Sequence, residues 1–410
     1  YMKLVADIVV AGGGCIGLNI ASRLRQCLPG AVILLLEKEE RCGHHGSSRN
    51  SGVIHSGFYY TSDTLKSLMT KTGNRKLTEF ILEKKLKLKR CGKLVVATSD
   101  SDLQSLDILY NRGQENGIDV HMVSESEALE IEPMVKTYQR ALWSPSTSVA
   151  DPVEVSAAQV DDAIELGVDI QTRCTVLDIC DKSVLGKISV KTNMGTIEAA
   201  HFVNAAGLYA DQIAHKCNVG LQYSILPFKG LFLHCPLKQE LRTNVYPVPD
   251  LRQPFLGTHW TVCASGGAKV GPTSMPAFSR ENYSILPPIS KFSETSQIVT
   301  DLLGMMWHDS QGIRRLALRE LAKLSKKRIL SDADQLLHAP CHGNLARDST
   351  WLRPGIRAQL MSRSELVNDF VIGRGCLSTH ILNAVSPGWT CAIPMAHHVV
   401  DDYIIPQLNK

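Results

Sequence analysis

The chain has 410 residues, enough for two or three domains with sizeable cores. Hydrophobic residues make up 44% and charged residues 20%, and the net charge of +4 is too small to argue for a nucleic-acid partner. No apolar run reaches the roughly 18 residues of a membrane span. The 12 cysteines form no C-x-x-C pair and no zinc-type spacing, so they are read as reduced, mostly buried thiols, and no metal is expected. The neighbours His44/His45 and His397/His398 do not change that, because adjacent side chains point in different directions.

In chain order, Asp7–Ala11 reads as a strand. Gly12 to Gly17 follow, then a helical stretch from Leu18 to about Cys27 and a second apolar run, Ala31–Leu36, ending on Glu37. Gly12, Gly14 and Gly17 make a G-x-G-x-x-G pattern: one glycine for the tight turn, one for approach of a pyrophosphate, one for close packing of helix and strand. Amides at the helix start then face phosphate oxygens. Glu37 follows Gly17 by twenty positions, the spacing of a carboxylate that bonds a ribose hydroxyl. The unit predicts an adenine dinucleotide. Because its strand begins almost at residue 1, no signal peptide is expected within the chain.

Residues 42–61 (CGHHGSSRNSGVIHSGFYYT) are too polar for core, and a loop of that length is usually functional. Residues 63–90 read as a helix whose Lys84, Lys85, Lys87, Lys89 and Arg90 suit a solvated face or peripheral contact with anionic lipid. A strand over 92–98 and helices over 102–117, 125–131 and 151–166 follow, the last entered through Asp151-Pro152. Strands are expected at 169–175, 187–192 and 196–203, the third running through Asn204-Ala205-Ala206-Gly207 into a helix over 209–217. From Leu221 the strands are interrupted by prolines, among them Pro227, Pro247, Pro254 and Pro272, which marks an antiparallel sheet. Residues 290–340 read as helical, strands return at 355–360 and 367–372, and a Ser386-Pro387-Gly388 turn opens a final helix over 390–403.

The motifs along this path resemble the D-amino-acid-oxidase-like flavoproteins, and within them the L-2-hydroxyglutarate dehydrogenases and oxidases. The likeness rests on the glycine pattern with Glu37 and on Ser47–Tyr60 (SSRNSGVIHSGFYY), Cys91–Leu94 (CGKL) and Asn204–Leu208 (NAAGL). It continues through Tyr246–Asp250 (YPVPD), Gly257–Thr261 (GTHWT), Gly271-Pro272, Arg357–Gln359 (RAQ), Asp369-Phe370 and Asn383–Pro387 (NAVSP). The implied fold class is α/β plus α+β: a Rossmann-like FAD-binding domain (1–90, 148–220 and 341–410) interleaved with an antiparallel-sheet substrate domain (91–147 and 221–340). The chain departs from the family pattern at Trp389, where a small residue is usual, at Lys229, where arginine is usual, and over Cys341–Trp351.

The resemblance implies FAD as the dinucleotide. Gly12, Gly14, Gly17 and Glu37 would hold the AMP half, with Lys38 also among the cofactor residues. Ser48, Arg49, Asn50, Ser51 and Gly52 would pass beside the flavin, and Ala206, Gly207, Ser386, Pro387 and Gly388 would close the site. Arg49 or Arg357 would place positive charge at the pyrimidine end of the ring. The implied reaction oxidises L-2-hydroxyglutarate, a small dicarboxylate 2-hydroxy acid, to 2-oxoglutarate. It needs a base for the hydroxyl proton, and His55 and His259 are both candidates. Arg357 is the first choice for a carboxylate clamp and Lys229 the second, with Tyr60 and Tyr246 as further donors and Tyr59 beside them. Two alternatives stay open: the same cofactor acting on an amino acid, amine or glycerol phosphate, or a flavin-binding protein without turnover. The electron acceptor is oxygen, a quinone or a carrier flavoprotein. The expected compartment is the mitochondrion in a eukaryote, and the cytoplasm or inner-membrane surface in a bacterium.

Overall fold

In the computed structural model, residues 4–182, 186–251, 255–284, 292–309, 311–338 and 345–408 are described. Pro254 and residues 341–344 of the divergent segment lie outside them. The central strand of the first sheet, β1 (Leu4–Ala11), carries Ile8, Val9 and Val10, all buried. A parallel strand covered on both faces needs such an unbroken apolar run. It pairs in parallel with β2 (Ile33–Leu36) on one side and with Gly195–Asn204 on the other, and helix α1 (Cys15–Cys27) makes the crossover between β1 and β2. The sheet runs in the order Val176–Lys182, Lys187–Thr192, Gly195–Asn204, β1, β2, Asp169–Gln171. Ser378–Asn383 adds to Gly195–Asn204 in parallel and carries Val371–Arg374 with it. This is the expected Rossmann-like architecture.

The second sheet has eight strands, in the order Thr350–Trp351, Leu233–Cys235, Ala268–Gly271, His259–Val262, Asn244–Pro247, Lys93–Val96, Arg140–Ser144, His121–Ser124. Its pairings are antiparallel except between Asn244–Pro247 and Lys93–Val96. Leu94, Val245, Trp260 and Val270 pack there with Ile329 and Ala333 of the helix Lys326–Asp334. Trp260 buries its ring and satisfies its one polar atom by donating Nε1–H to the Ala333 carbonyl at 3.0 Å.

The chain divides into two compact units, residues 1–50, 152–227 and 357–410 in one and residues 51–151 and 228–356 in the other. The main difference from the expected boundaries is that residues 51–90 join the antiparallel unit. The cause is pairing: Val53–Ile54 and Leu88–Lys89 both hydrogen-bond to Ser148–Ala150. Asn74, on the helix Leu65–Glu83, donates to the carbonyls of Ile54, His55 and Ser146. That helix also ends earlier than its sequence suggests. Lys85 takes φ 55°, a left-handed conformation that stops the helix, so Lys84 to Arg90 do not form one helical face. At the other end of the chain the expected single helix is Ala392–His398, a wider π-helical turn over Val399–Ile404, and Ile405–Leu408. Among the described residues no helix is long and apolar enough to cross a membrane.

Candidate active site

The turn after β1 is built from backbone in contact with backbone. Gly12 takes φ +109°, and a Cβ on it would lie 2.4 Å from the Ala205 carbonyl oxygen. A Cβ on Gly17 would lie 1.9 Å from the Gly12 carbonyl oxygen. Both glycines are therefore required by the turn itself. Helix α1 starts at Gly14 without a side-chain cap from that residue and without an acid in its first turn, while Ser47 Oγ accepts from the Cys15 amide at 2.8 Å. The positive end of the helix suits an anionic group. Glu37 is buried at the end of β2, where its carboxylate accepts from the Gly13 amide at 2.8 Å and the Glu39 amide at 2.9 Å. A carboxylate has about four acceptor sites, so two backbone bonds leave capacity for ribose hydroxyls.

The other expected cofactor residues of this unit lie on several separate turns, a loop and a strand. Ala205 donates its amide to the Ala11 carbonyl at 2.9 Å, which sets Ala206 and Gly207 beside the glycine turn. Gly207 takes φ +54°, and nothing lies within 4 Å of where its Cβ would be. Conformation rather than crowding selects glycine there, and the position opens onto free space. Gly388 is different: a Cβ would meet the Ala384 carbonyl oxygen at 2.2 Å, so its own turn after Ser386 and Pro387 demands it. Trp389 follows, with an Nε1 shielded from solvent and without a hydrogen-bond partner among the described residues. Lys38 pairs with Glu39 and lies 5.5 Å from the Tyr209 ring centroid. Arg49 donates Nε–H to the His44 carbonyl at 2.9 Å, and Asn50 donates to Ser47 O at 2.8 Å, so both brace their own loop. Ser48 approaches Gly43 in that loop. Arg357 lies on the strand Gly355–Ser362. Ser51 and Gly52 belong to the second unit, where Gly52 O accepts from the Ala150 amide at 2.9 Å.

The second unit gathers a set of side chains with acid–base chemistry. Lys93 opens the strand Lys93–Val96 and is 0% exposed. Its Nζ lies 3.4 Å from His55 Nδ1. The ring centroids of Tyr246, Tyr59 and Phe58 surround it at 4.6, 5.0 and 5.4 Å. Tyr246 stacks on His259, with centroids 3.6 Å apart and planes 16° from parallel. His259 Nδ1 donates to the Gly257 carbonyl oxygen at 2.7 Å. The Tyr59 hydroxyl is shielded and has no partner among the described residues. Burial pushes the lysine down to about 7. Burial first, then the charges of Lys93 and His259, hold His55 well below the usual histidine range. Burial also raises both Tyr59 and Tyr246.

The fold thus brings His55, His259 and Tyr246 together from segments far apart in the chain. The remaining expected substrate residues have other neighbours. Tyr60 sits with its ring 5.6 Å from Lys66 Nζ, and Lys229 is buried with Nζ donating to the Ser284 carbonyl at 2.5 Å. Lys93 was missed as a functional candidate, although it was quoted within CGKL. The available signal was a lysine opening the apolar run Leu94-Val95-Val96-Ala97, all of it buried.

Comparison with known proteins agrees with this architecture. A family described as FAD dependent oxidoreductase matches residues 7–401. The chain is 34% identical to a Nematostella vectensis protein named L-2-hydroxyglutarate dehydrogenase, mitochondrial, covering 96% of this chain and 90% of that one. It is 32% identical to the L-2-hydroxyglutarate dehydrogenase of Escherichia coli strain K12, covering 96% and 92%. Among solved structures, the FAD-bound L-alpha-glycerophosphate oxidase of Mycoplasma pneumoniae shares the fold with a TM-score of 0.77 at 22% identity, covering 97% of this chain and 94% of that one. With its glycine turn, its interleaved sheets and a match over nearly its whole length, the chain belongs to the FAD dependent oxidoreductase family, D-amino-acid-oxidase type.

Proposed function

We propose that this flavoenzyme oxidises L-2-hydroxyglutarate to 2-oxoglutarate, the activity named for its relatives at 30 to 34% identity. FAD would be held by Gly12, Gly14, Gly17 and Glu37, with Ser48 to Gly52, Ala206, Gly207 and Ser386 to Gly388 as its further candidate residues, and would supply the hydride acceptor. The observation that carries the protein's part is the state of His259. Its Nδ1 proton is committed to the Gly257 carbonyl, so the ring's lone pair is on Nε2, which takes the hydroxyl proton of the substrate. Tyr246, stacked on that ring, fixes its plane. Arg357 serves as the first carboxylate clamp. Lys229 is the second and exchanges its bond to Ser284 O for the substrate. Electrons leave to oxygen, a quinone or a carrier flavoprotein, in the mitochondrion of a eukaryote or in the bacterial cytoplasm or inner-membrane surface.

The test is direct. The purified yellow protein is mixed with L-2-hydroxyglutarate without oxygen, and loss of the flavin absorbance is followed with time. Bleaching by this acid and not by its D-enantiomer is expected. His259→Gln slows it by roughly two to four orders of magnitude. Bleaching only by an amino acid, amine or glycerol phosphate selects that substrate instead, and a flavin that nothing reduces marks a protein without turnover.

A further inference from the structure

The proposed reaction assigns no task to Lys93 or to His55, the pair in contact at 3.4 Å. Stability does not explain the lysine. Its strand is clamped between Asn244–Pro247 and Arg140–Ser144, and among the described residues no carboxylate pairs with its ammonium. A buried cation without an ion pair weakens a fold, and an apolar side chain of similar volume would serve the core better. Nor does Lys93 reach the surface to meet a ligand. Three aromatic rings surround its Nζ, and its polar contact is with His55, through Nδ1 at 3.4 Å.

That contact has a chemical consequence. Below about pH 7 the lysine is an ammonium with donors only, so there His55 Nδ1 accepts and the ring proton sits on Nε2. His259 has the opposite tautomer, because a carbonyl oxygen can only accept from its Nδ1. The two histidines therefore differ in what they offer: His55 an N–H donor, His259 a lone pair. We propose that Lys93 is a positioning residue that fixes His55 as the neutral Nε2–H tautomer, a donor to an anionic oxygen of the substrate, and so leaves His259 as the proton acceptor.

The step balances. His259 Nε2 would take the hydroxyl proton, a bound flavin would take the hydride from carbon, and the C–O bond would become C=O, while His55 keeps its proton throughout. The titratable groups around Lys93 and His55 fit this division. Cys91 is pushed up to about 11 and Tyr59 and Tyr246 are raised, so all three are neutral near pH 7. The lysine charge, together with burial, opposes a second proton on His55.

The inference rests on the proposed oxidation only for which substrate is used; the tautomer can be read without any. The experiment is nitrogen-15 NMR of the FAD-loaded enzyme carrying labelled histidine, with His55 assigned by its loss in His55→Gln. At about pH 6.5, near the free imidazole value, wild-type His55 should be neutral with Nε2 protonated. In Lys93→Met it should become a tautomer mixture or take a second proton. In anaerobic flavin reduction, Lys93→Met should lose about tenfold or more in rate at that pH and recover as pH rises, with KM changed by less than about threefold. Lys93→Arg should restore part of the rate. A wild-type His55 protonated on Nδ1 overturns the proposal, as does a Lys93→Met enzyme with an unchanged tautomer and pH profile. If Lys93→Met does not fold, the wild-type spectrum decides alone. If another 2-hydroxy acid bleaches the flavin and L-2-hydroxyglutarate does not, the substrate reading fails while the tautomer result still judges Lys93.

Discussion

Replacing Gly17 by alanine adds one methyl group in the tightest place of the dinucleotide turn. The added Cβ would stand 1.9 Å from the Gly12 carbonyl oxygen and 3.4 Å from Ala205 Cβ. Relief requires a separation larger by about 1 Å or more. The Gly12 oxygen cannot give way cheaply, because the Gly12 amide is bonded to Leu36 O at 2.8 Å and the neighbouring Ala11 O accepts from Ala205 at 2.9 Å. Helix α1 must move instead and take its first-turn amides with it. Overpacking of this kind costs about 1–3 kcal/mol. Charged to cofactor binding, that is roughly 5- to 150-fold in Kd. The assay is fluorescence titration of FAD into flavin-stripped protein, with thermal unfolding in parallel. Gly30→Ala is the control, since nothing lies within 4 Å of its Cβ and its φ is ordinary, and it should be neutral. A Gly17→Ala protein that binds FAD and melts like the parent would refute the claim that this turn sets the cofactor site.

Glu37→Gln keeps the size of the side chain and removes the charge that receives the Gly13 and Glu39 amides. Charge-assisted bonds of this type are worth about 1.5–3 kcal/mol, so the FAD Kd should rise about 10- to 100-fold in the same titration. Acid stability should reflect two buried histidines of the first unit. Burial pushes both His201 and His380 down to about 4, while His201 bonds to Thr379 Oγ1 at 3.0 Å and His380 to Ser378 Oγ at 2.8 Å. The unfolded chain binds these protons near pH 6.5, so stability is complete above that pH and is lost as pH falls toward 4, at about 1.4 kcal/mol per pH unit per group. Denaturant melts across that window should show the slope, and His380→Gln should flatten it; a slope unchanged in the variant contradicts the assignment.

The first strand–turn–helix–strand could be read from the sequence because its determinants are local. Glycine at fixed spacing, an apolar run buried on both faces and an acid at the end of the second strand act within about forty residues, and β1, α1 and β2 appear where those signals stand. The helix Glu125–Ile131 was read to the residue for the same reason: Ser124 and Glu127 form a capping box. His55 and His259 stood out as candidate bases from the loop over 42–61 and the GTHWT strand, and the fold brings both to the cluster around Tyr246 and Lys93.

Only the tertiary structure decided which distant segments meet. Val53 pairs with Val149, and that register moves residues 51–90 into the antiparallel unit. His55 meets Lys93 across 38 positions, and Lys229 meets Ser284 across 55. The choice of neighbouring strand creates these encounters, and the apolar pattern within one strand does not name its distant partner. A lysine at the head of an apolar run marks a position worth inspecting, but the run does not say that a histidine 38 positions away is its neighbour. Its chemistry was fixed when the sheet closed over it and took it out of solvent.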